Sequence, residues 1–422
     1  MSATGKTRFL CAAGVCLTGY ASLGDARANE LRWDYAPSFG AESVRERPRP
    51  EISPDGIRIG NFLLFPEIGA GTVWSRIASP LASESDFRHE VFAKLDLRSS
   101  LPRHALGVTL EGRGVQFQEE DEIRYLDGAA RTTWRLDIDH ATSLFGAASV
   151  ALRHSENVDD ELPQGVTRPV GELKTTAEIG LRHRAGRIDA AVGVRYVRFD
   201  FEDAQTNQGE RIDLGWQNYG VLSPFAELGL RLSPGYRVFA DIAGNFQENR
   251  GTPEIDRDAV GIAANVGVEF ELSPLVRVAL KGGFAQQDYR QAGLVDIFEP
   301  TWEGRLEWLV TPLVTLSLAH KREVRPTNYG LASGQIAHSY LFNADYELMR
   351  NLIVSASAGW RDATYIGESR EDTILLGSVA LEYMPSKNWL VTVSFEHQEL
   401  ISSAADYDRT LDKVGLSVKY RF

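Results

Sequence analysis

From Lys413 to Phe422 the side chains alternate without a break: Val414, Leu416, Val418, Tyr420 and Phe422 stand against Lys413, Gly415, Ser417, Lys419 and Arg421. A period of two puts these sets on opposite sides of a β-strand, one oily and one wet. The same alternation recurs upstream. Tyr236, Val238, Ala240, Ile242, Gly244 and Phe246 oppose Arg237, Phe239, Asp241, Ala243, Asn245 and Gln247. Val260, Ile262, Ala264, Val266, Val268, Phe270 and Leu272 oppose Ala259, Gly261, Ala263, Asn265, Gly267, Glu269 and Glu271. Between Leu126 and Ile138, Leu126, Ala130, Thr132, Trp134, Leu136 and Ile138 oppose Asp127, Arg131, Thr133, Arg135 and Asp137.

The first 28 residues read differently. Lys6 and Arg8 precede an apolar stretch from Phe9 to Leu17, and Ala26-Arg27-Ala28 has the small-x-small form of a signal-peptidase site. The apolar run is shorter than the ~20 residues of a spanning helix. Cleavage after Ala28 is therefore expected, and it removes both cysteines, Cys11 and Cys16. Disulfides, thiolate metal sites and cysteine nucleophiles are then excluded from the mature chain. Removing Lys6, Arg8, Arg27 and Asp25 takes away a net charge of +2, so the formal charge moves from −13 to −15, which disfavours nucleic acid as a partner. No later window holds ~18 uninterrupted apolar residues, which excludes helical spans. A β-barrel remains open, because only alternate residues meet lipid.

Residues 29–58 are rich in Arg, Glu and Pro, most densely from Arg45 to Pro50, and lack alternation. An extended periplasmic lead-in is expected there, able to dock a partner or partly plug an opening. From residue 59 onward strand segments are separated by two kinds of connection. Short ones contain Pro, Gly or small polar residues: Ser99 to Arg103, Asp139 to Thr142, Arg184 to Arg187, Ser233 to Gly235, Ser273-Pro274, Thr311-Pro312, Met349 to Asn351 and Met384 to Asn388. Longer polar ones lie between them. Tight turns alternating with long loops are the habit of an outer-membrane barrel. Eight tight turns plus two periplasmic ends predict an all-β antiparallel transmembrane barrel of about eighteen strands, with sixteen as the alternative. A soluble β-sandwich also alternates, but its strands are typically ~5 to 6 residues, shorter than the run from Arg257 to Ser273. No blade motif recurs to suggest a propeller. Trp302 and Trp308, and Trp389 and Phe395, stand near the ends of alternating faces, where aromatic girdles would meet the two interfaces.

The segment from Gly56 to Pro66, the preceding Arg45 to Pro50, Ser85-Asp86-Phe87 and Arg103 to Gly107 resemble the outer-membrane β-barrel porin family associated with export of capsular or extracellular polysaccharide. The resemblance covers Arg45 to about Gly107, and the final strand with its terminal Phe422 resembles the assembly signal of outer-membrane barrels. It implies a channel and suggests polysaccharide as cargo. It also implies recognition of Gly415, Val418, Tyr420 and Phe422 by the barrel-assembly machinery. Gly71 to Ser75 stands where that family has a polar turn motif, so no role for that motif carries over.

Signals of enzymatic chemistry are sparse. His89-Glu90 lacks the second histidine of a zinc-protease helix, and neither a G-x-S-x-G elbow nor a phosphate-binding loop occurs. His140, Ser143 and Ser149 match a barrel hydrolase by residue type alone, and a solvated turn histidine is the plainer reading. Asp159-Asp-Glu161 lacks the pattern of a calcium loop. No cofactor, metal or catalytic residue is expected.

The candidate functional residues line the wet face: Arg131, Arg135, Arg195, Arg237, Arg277 and Lys281, with Glu269, Glu271, Glu303, Glu307 and Glu382. Such charges either set the selectivity of a hydrated path or pair across strands and stiffen the wall. The expected function is passage of an exported polysaccharide, with periplasmic export components as partners. A diffusion porin for small solutes and a structural or surface-binding barrel are the alternatives.

Overall fold

The computed structural model describes residues 42–80, 83–119, 123–155, 166, 168–205, 211–249, 255–405 and 407–422. The expected signal peptide, residues 29–41 of the lead-in and the run Asp159 to Glu161 lie outside the described residues.

A short strand β1 (Ile57–Ile59) turns through Gly60, whose φ of 60° suits glycine, and pairs with the start of β2 (Phe62–Ala78). The wall continues through β3 (Ser83–Ser99), β4 (Ala105–Phe117), β5 (Arg124–Asp137), β6 (Thr142–Ser155), β7 (Val170–Ala185) and β8 (Ile188–Phe201). The long connection that follows holds a two-stranded hairpin, β9 (Ala204–Gln205) with β10 (Arg211–Ile212). The wall resumes with β11 (Tyr219–Ser233), β12 (Tyr236–Asn249), β13 (Ala259–Ser273), β14 (Val276–Tyr289), β15 (Ile297–Thr311) and β16 (Val314–Arg325). It ends with β17 (Gln335–Met349), β18 (Leu352–Tyr365), β19 (Glu371–Tyr383), β20 (Trp389–Ser402) and β21 (Arg409–Arg421).

Each wall strand pairs antiparallel with the next, β8 passes to β11, and β21 returns to β2 with Val418 opposite Ala70 and Tyr420 opposite Ile68. Eighteen strands among the described residues thus close one barrel, as the count of tight turns predicts. Closure leaves no edge whose backbone groups must be solvated, the condition for a sheet to stand in lipid. Wall strands run from 12 to 17 residues, longer than the roughly 9–11 that cross a bilayer.

The two faces separate as the alternation requires. On β5, Leu126 is 69% exposed and its neighbour Asp127 only 7%; on β13, Val266 is 68% exposed and Glu269 only 2%. Bare aliphatic rows outside and occluded charge inside invert the pattern of a soluble protein, and lipid is the solvent that makes the outer rows favourable. Trp302, Trp308, Trp389 and Phe395 all lie on the exposed outer face. All eight predicted tight turns fall between consecutive strands, and Gly186 and Gly235 take the positive φ that two of them need. Four successive turns, after β11, β13, β15 and β17, also carry a bulge one residue before the bend.

Candidate functional site

The inward face carries ion-paired charge around the ring. Arg237 on β12 joins several of these charges. Its guanidinium donates to Asp189 from Nε at 3.1 Å and from Nη2 at 2.7 Å, to Glu269 at 3.4 Å, and to Glu227. Four strands are tied through one side chain that is 2% exposed. Its charge also lies 4.9 Å from the centre of the Phe239 ring. That ring in turn covers Gly267 on β13, where a Cβ would meet Phe239 at 2.4 Å.

The other expected residues fall on the same face and mostly in pairs. Arg195 meets Glu178 at 2.6 Å, Arg135 meets Asp137 at 2.9 Å, and Lys281 meets Glu303 at 3.4 Å. Arg277 meets Glu307 at 2.8 Å, and Glu271 stands opposite Arg277 in the register. Arg131 is exposed toward the interior, level with Thr109 and Ser149 on its neighbours. A second chain of charge, outside the candidates read from the sequence, runs from Arg88 to Glu90 at 2.9 Å, to Arg113 at 3.2 Å, then through Asp127 to His154 at 2.8 Å. Gly415, Val418 and Tyr420 lie in the closing strand, opposite Val73, Ala70 and Ile68, and the Phe422 N–H donates to Pro66 O at 3.1 Å. His140 lies exposed in a tight turn. Among the described residues no group of three or more His, Cys, Asp or Glu side chains is placed to hold a metal ion.

Both mouths carry folded segments on the inward face. At the long-loop end, residues 326–334 pack against inward-facing Tyr289, Ile297 and Tyr365. Arg257 donates to Gly330 O at 2.6 Å and Ala332 O at 3.3 Å, and Val295 N–H donates to Ser333 Oγ at 2.6 Å. Beside them Arg370 grips Asp372 at 2.7 Å, with the rings of Tyr329, Tyr365 and Tyr407 within 4.0 to 4.7 Å of its guanidinium carbon.

At the short-turn end, residues 42–56 make two turns where an extended lead-in was expected. Arg47 N–H donates to Ser43 O at 3.0 Å and Ser53 N–H to Arg49 O at 2.8 Å. The reason is local chemistry meeting distant partners: alternate arginines find carboxylates on β17 and β19. Arg45 bridges Asp345 at 3.0 Å, Glu382 at 2.5 Å and Ser355; Arg47 and Arg49 reach Glu347 at 3.1 and 2.7 Å. Although burial works to lower it, the pKa of Arg45 is raised by Glu382 and Asp345. Val44 and Ile52 join Ile353, Met384 and Leu390 in a small buried cluster, and Val44 N–H donates to Thr315 Oγ1 at 2.9 Å.

A closed antiparallel wall with a bare aliphatic exterior and an ionic interior defines an outer-membrane β-barrel porin. The chain belongs to the family described as "Putative beta-barrel porin 2", whose model matches residues 49–422. It is similar to the structure of Acinetobacter baumannii OccAB4, at 12% identity and a TM-score of 0.46, covering 85% of this chain and 98% of that one. It is also similar to Pseudomonas aeruginosa OccK2 (OpdF), at 11% identity and a TM-score of 0.48, covering 85% and 97%. A third similar structure is Pseudomonas aeruginosa OpdO, at 14% identity and a TM-score of 0.46, covering 85% and 97%. No curated protein matches the chain. Membership in a porin family gives the channel class, and it lends no support to the polysaccharide cargo that the sequence resemblance suggested.

Proposed function

We propose that this protein is a diffusion channel for small polar solutes across the outer membrane, with the inward charged residues lining its path. The supporting observation is that the inner surface is occupied at both mouths: residues 42–56 lie on inward-facing side chains at one end, and residues 326–334 at the other. An eighteen-stranded wall is wide enough for water, and two seated segments narrow it. A bulky hydrated polymer needs an unobstructed tube. Small solutes need only a wet path beside these segments. Paired charges such as Arg237 with Asp189 hold the wall in shape, while Arg131, exposed to the interior, is available to passing solutes. Cleavage after Ala28 and delivery through the final strand ending in Phe422, read by the barrel-assembly machinery, complete the proposed route to the membrane.

Proteoliposome swelling tests this reading. With the purified protein, uncharged sugars of increasing size should enter at rates that fall steeply from monosaccharide to trisaccharide, and a long polysaccharide should be excluded. Entry of polysaccharide at a rate close to that of monosaccharide would reinstate export of a polymer.

A further inference from the structure

We propose that residues 43–55 form a removable ionic stopper of the short-turn mouth, and that the carboxylates under it are a binding site for guanidinium and ammonium groups. The proposal rests on the reading that the tube conducts.

The contacts have the character of a docked ligand. Three guanidiniums enter an acidic cradle built from two wall strands: Arg45 at Asp345 and Glu382, and Arg47 and Arg49 at Glu347. The cradle carboxylates of Glu347 and Glu382 are 1% and 6% exposed with the segment in place. Charge-assisted, multidentate contacts of this kind are the usual means by which carboxylates recognise a guanidinium. The apolar part of the interface is small by comparison, two side chains, Val44 and Ile52, on three from the wall. The segment runs on into the wall strands through β1 and the turn at Gly60. These pairs are occluded while the segment is seated, so salt screens them little. A cation that fits the carboxylates competes for them as the segment lifts.

Leaving has a directional electrostatic result. The segment's own acids meet wall cations that are either rim groups or already paired. Arg350 with Glu51 is 52% exposed, Lys387 with Asp55 is 39% exposed, and Arg277 with Glu46 keeps Glu307 at 2.8 Å. Leaving bares Asp345, Glu347 and Glu382, and with them Arg421, which gives up Ile52 O at 3.3 Å, while Arg350 stays 3.6 Å from Glu347. Three carboxylates against these two cations leave the mouth acidic, so the opened tube favours cations.

The test compares the full protein in planar bilayers with an R45A/R47A/R49A variant and with a tethered V44C/T315C variant in a C11S/C16S background. The triple variant should show larger unitary current and, under a KCl gradient, a reversal potential displaced toward the cation side. Arginine methyl ester added to the triple variant should reduce its current more than that of the parent. The tether should lower current when oxidised and restore it when reduced, which keeps the test valid if the triple variant inserts poorly. Parent current with no change in the triple variant and none on tethering would overturn the stopper and leave the channel standing. Silence of the parent and both variants, all folded by their mobility in unheated gels, would overturn the channel and the stopper together.

Discussion

Arg49 and Glu347 lie 298 residues apart in the chain, yet their charged groups meet at 2.7 Å with side chains only 8% and 1% exposed. Removing the only partner of a buried charge costs roughly 3–5 kcal/mol. Here Arg47 at 3.1 Å and Arg350 at 3.6 Å stay on the same carboxylate, so Arg49→Ala should cost less than that range. Combining it with Arg47→Ala, which leaves Glu347 only the more distant Arg350, should cost more than the sum of the two. Limited proteolysis within residues 43–55 reads the loss. Equal protection in the parent and the double variant would show that these pairs do not hold the segment.

Arg237 should be a sensitive charge in the wall. Replacing it with Met leaves Asp189, Glu227 and Glu269 facing one another without their shared cation. The expected penalty is about 3–5 kcal/mol, visible as a lower temperature for the gel-mobility shift of the folded barrel. Arg237→Lys should recover part of it, since an ammonium keeps the charge and loses the fork that serves Asp189 through two nitrogens. Unchanged heat resistance in the Met variant would contradict the role given to this network.

Gly267 should not tolerate a methyl group. Its Cβ would come within 2.4 Å of Phe239 and 2.7 Å of the Leu280 carbonyl oxygen, and the latter belongs to backbone that cannot swing aside. Displacing Phe239 also moves the ring beneath Arg237. Gly267→Ala should destabilise the barrel by about 1–3 kcal/mol. A second change, Phe239→Leu, should relieve part of that loss. Failure of the second change to help would point to the carbonyl contact alone.

Glu51 gives the seated segment a weak acid dependence. Its carboxyl is held below the usual range by its own backbone N–H; burial opposes this slightly and Arg350, 2.6 Å away, adds to it. A lowered folded pKa means that the contribution is present above the unfolded value near 4.5 and fades as pH falls through the lower folded value. Protection of the segment by this contact should therefore be flat from pH 7 to about 5 and decline only below about 4. Loss already at pH 6 would contradict it.

The wall was legible in the sequence because lipid outside and water inside impose opposite demands on neighbouring residues, and a period of two records both. Leu126 beside Asp127 is enough to orient β5. Turn chemistry located the hairpins: Ser273-Pro274 and Arg184 to Arg187 fall between strands as expected. The seated segment was not legible. Arg45 to Pro50 reads as solvated lead-in because the partners that fold it, Asp345, Glu347 and Glu382, are about three hundred residues away, and nothing local announces them. The β9–β10 hairpin was missed for a related reason: it is two residues a side, and its apolar anchor is Leu214 packing with Val166 and Val170 across a long connection.

Adjacent residues of one strand face different solvents in such a wall, and single cysteines along β5 measure that directly. In a C11S/C16S background inserted in bilayers, cysteines at positions 129, 131 and 133 should react with a small membrane-impermeant thiol reagent. Those at 128, 130 and 132 should react only with a lipid-soluble one. Uniform reactivity toward the aqueous reagent at all six positions would contradict a wall with lipid on one side and water on the other.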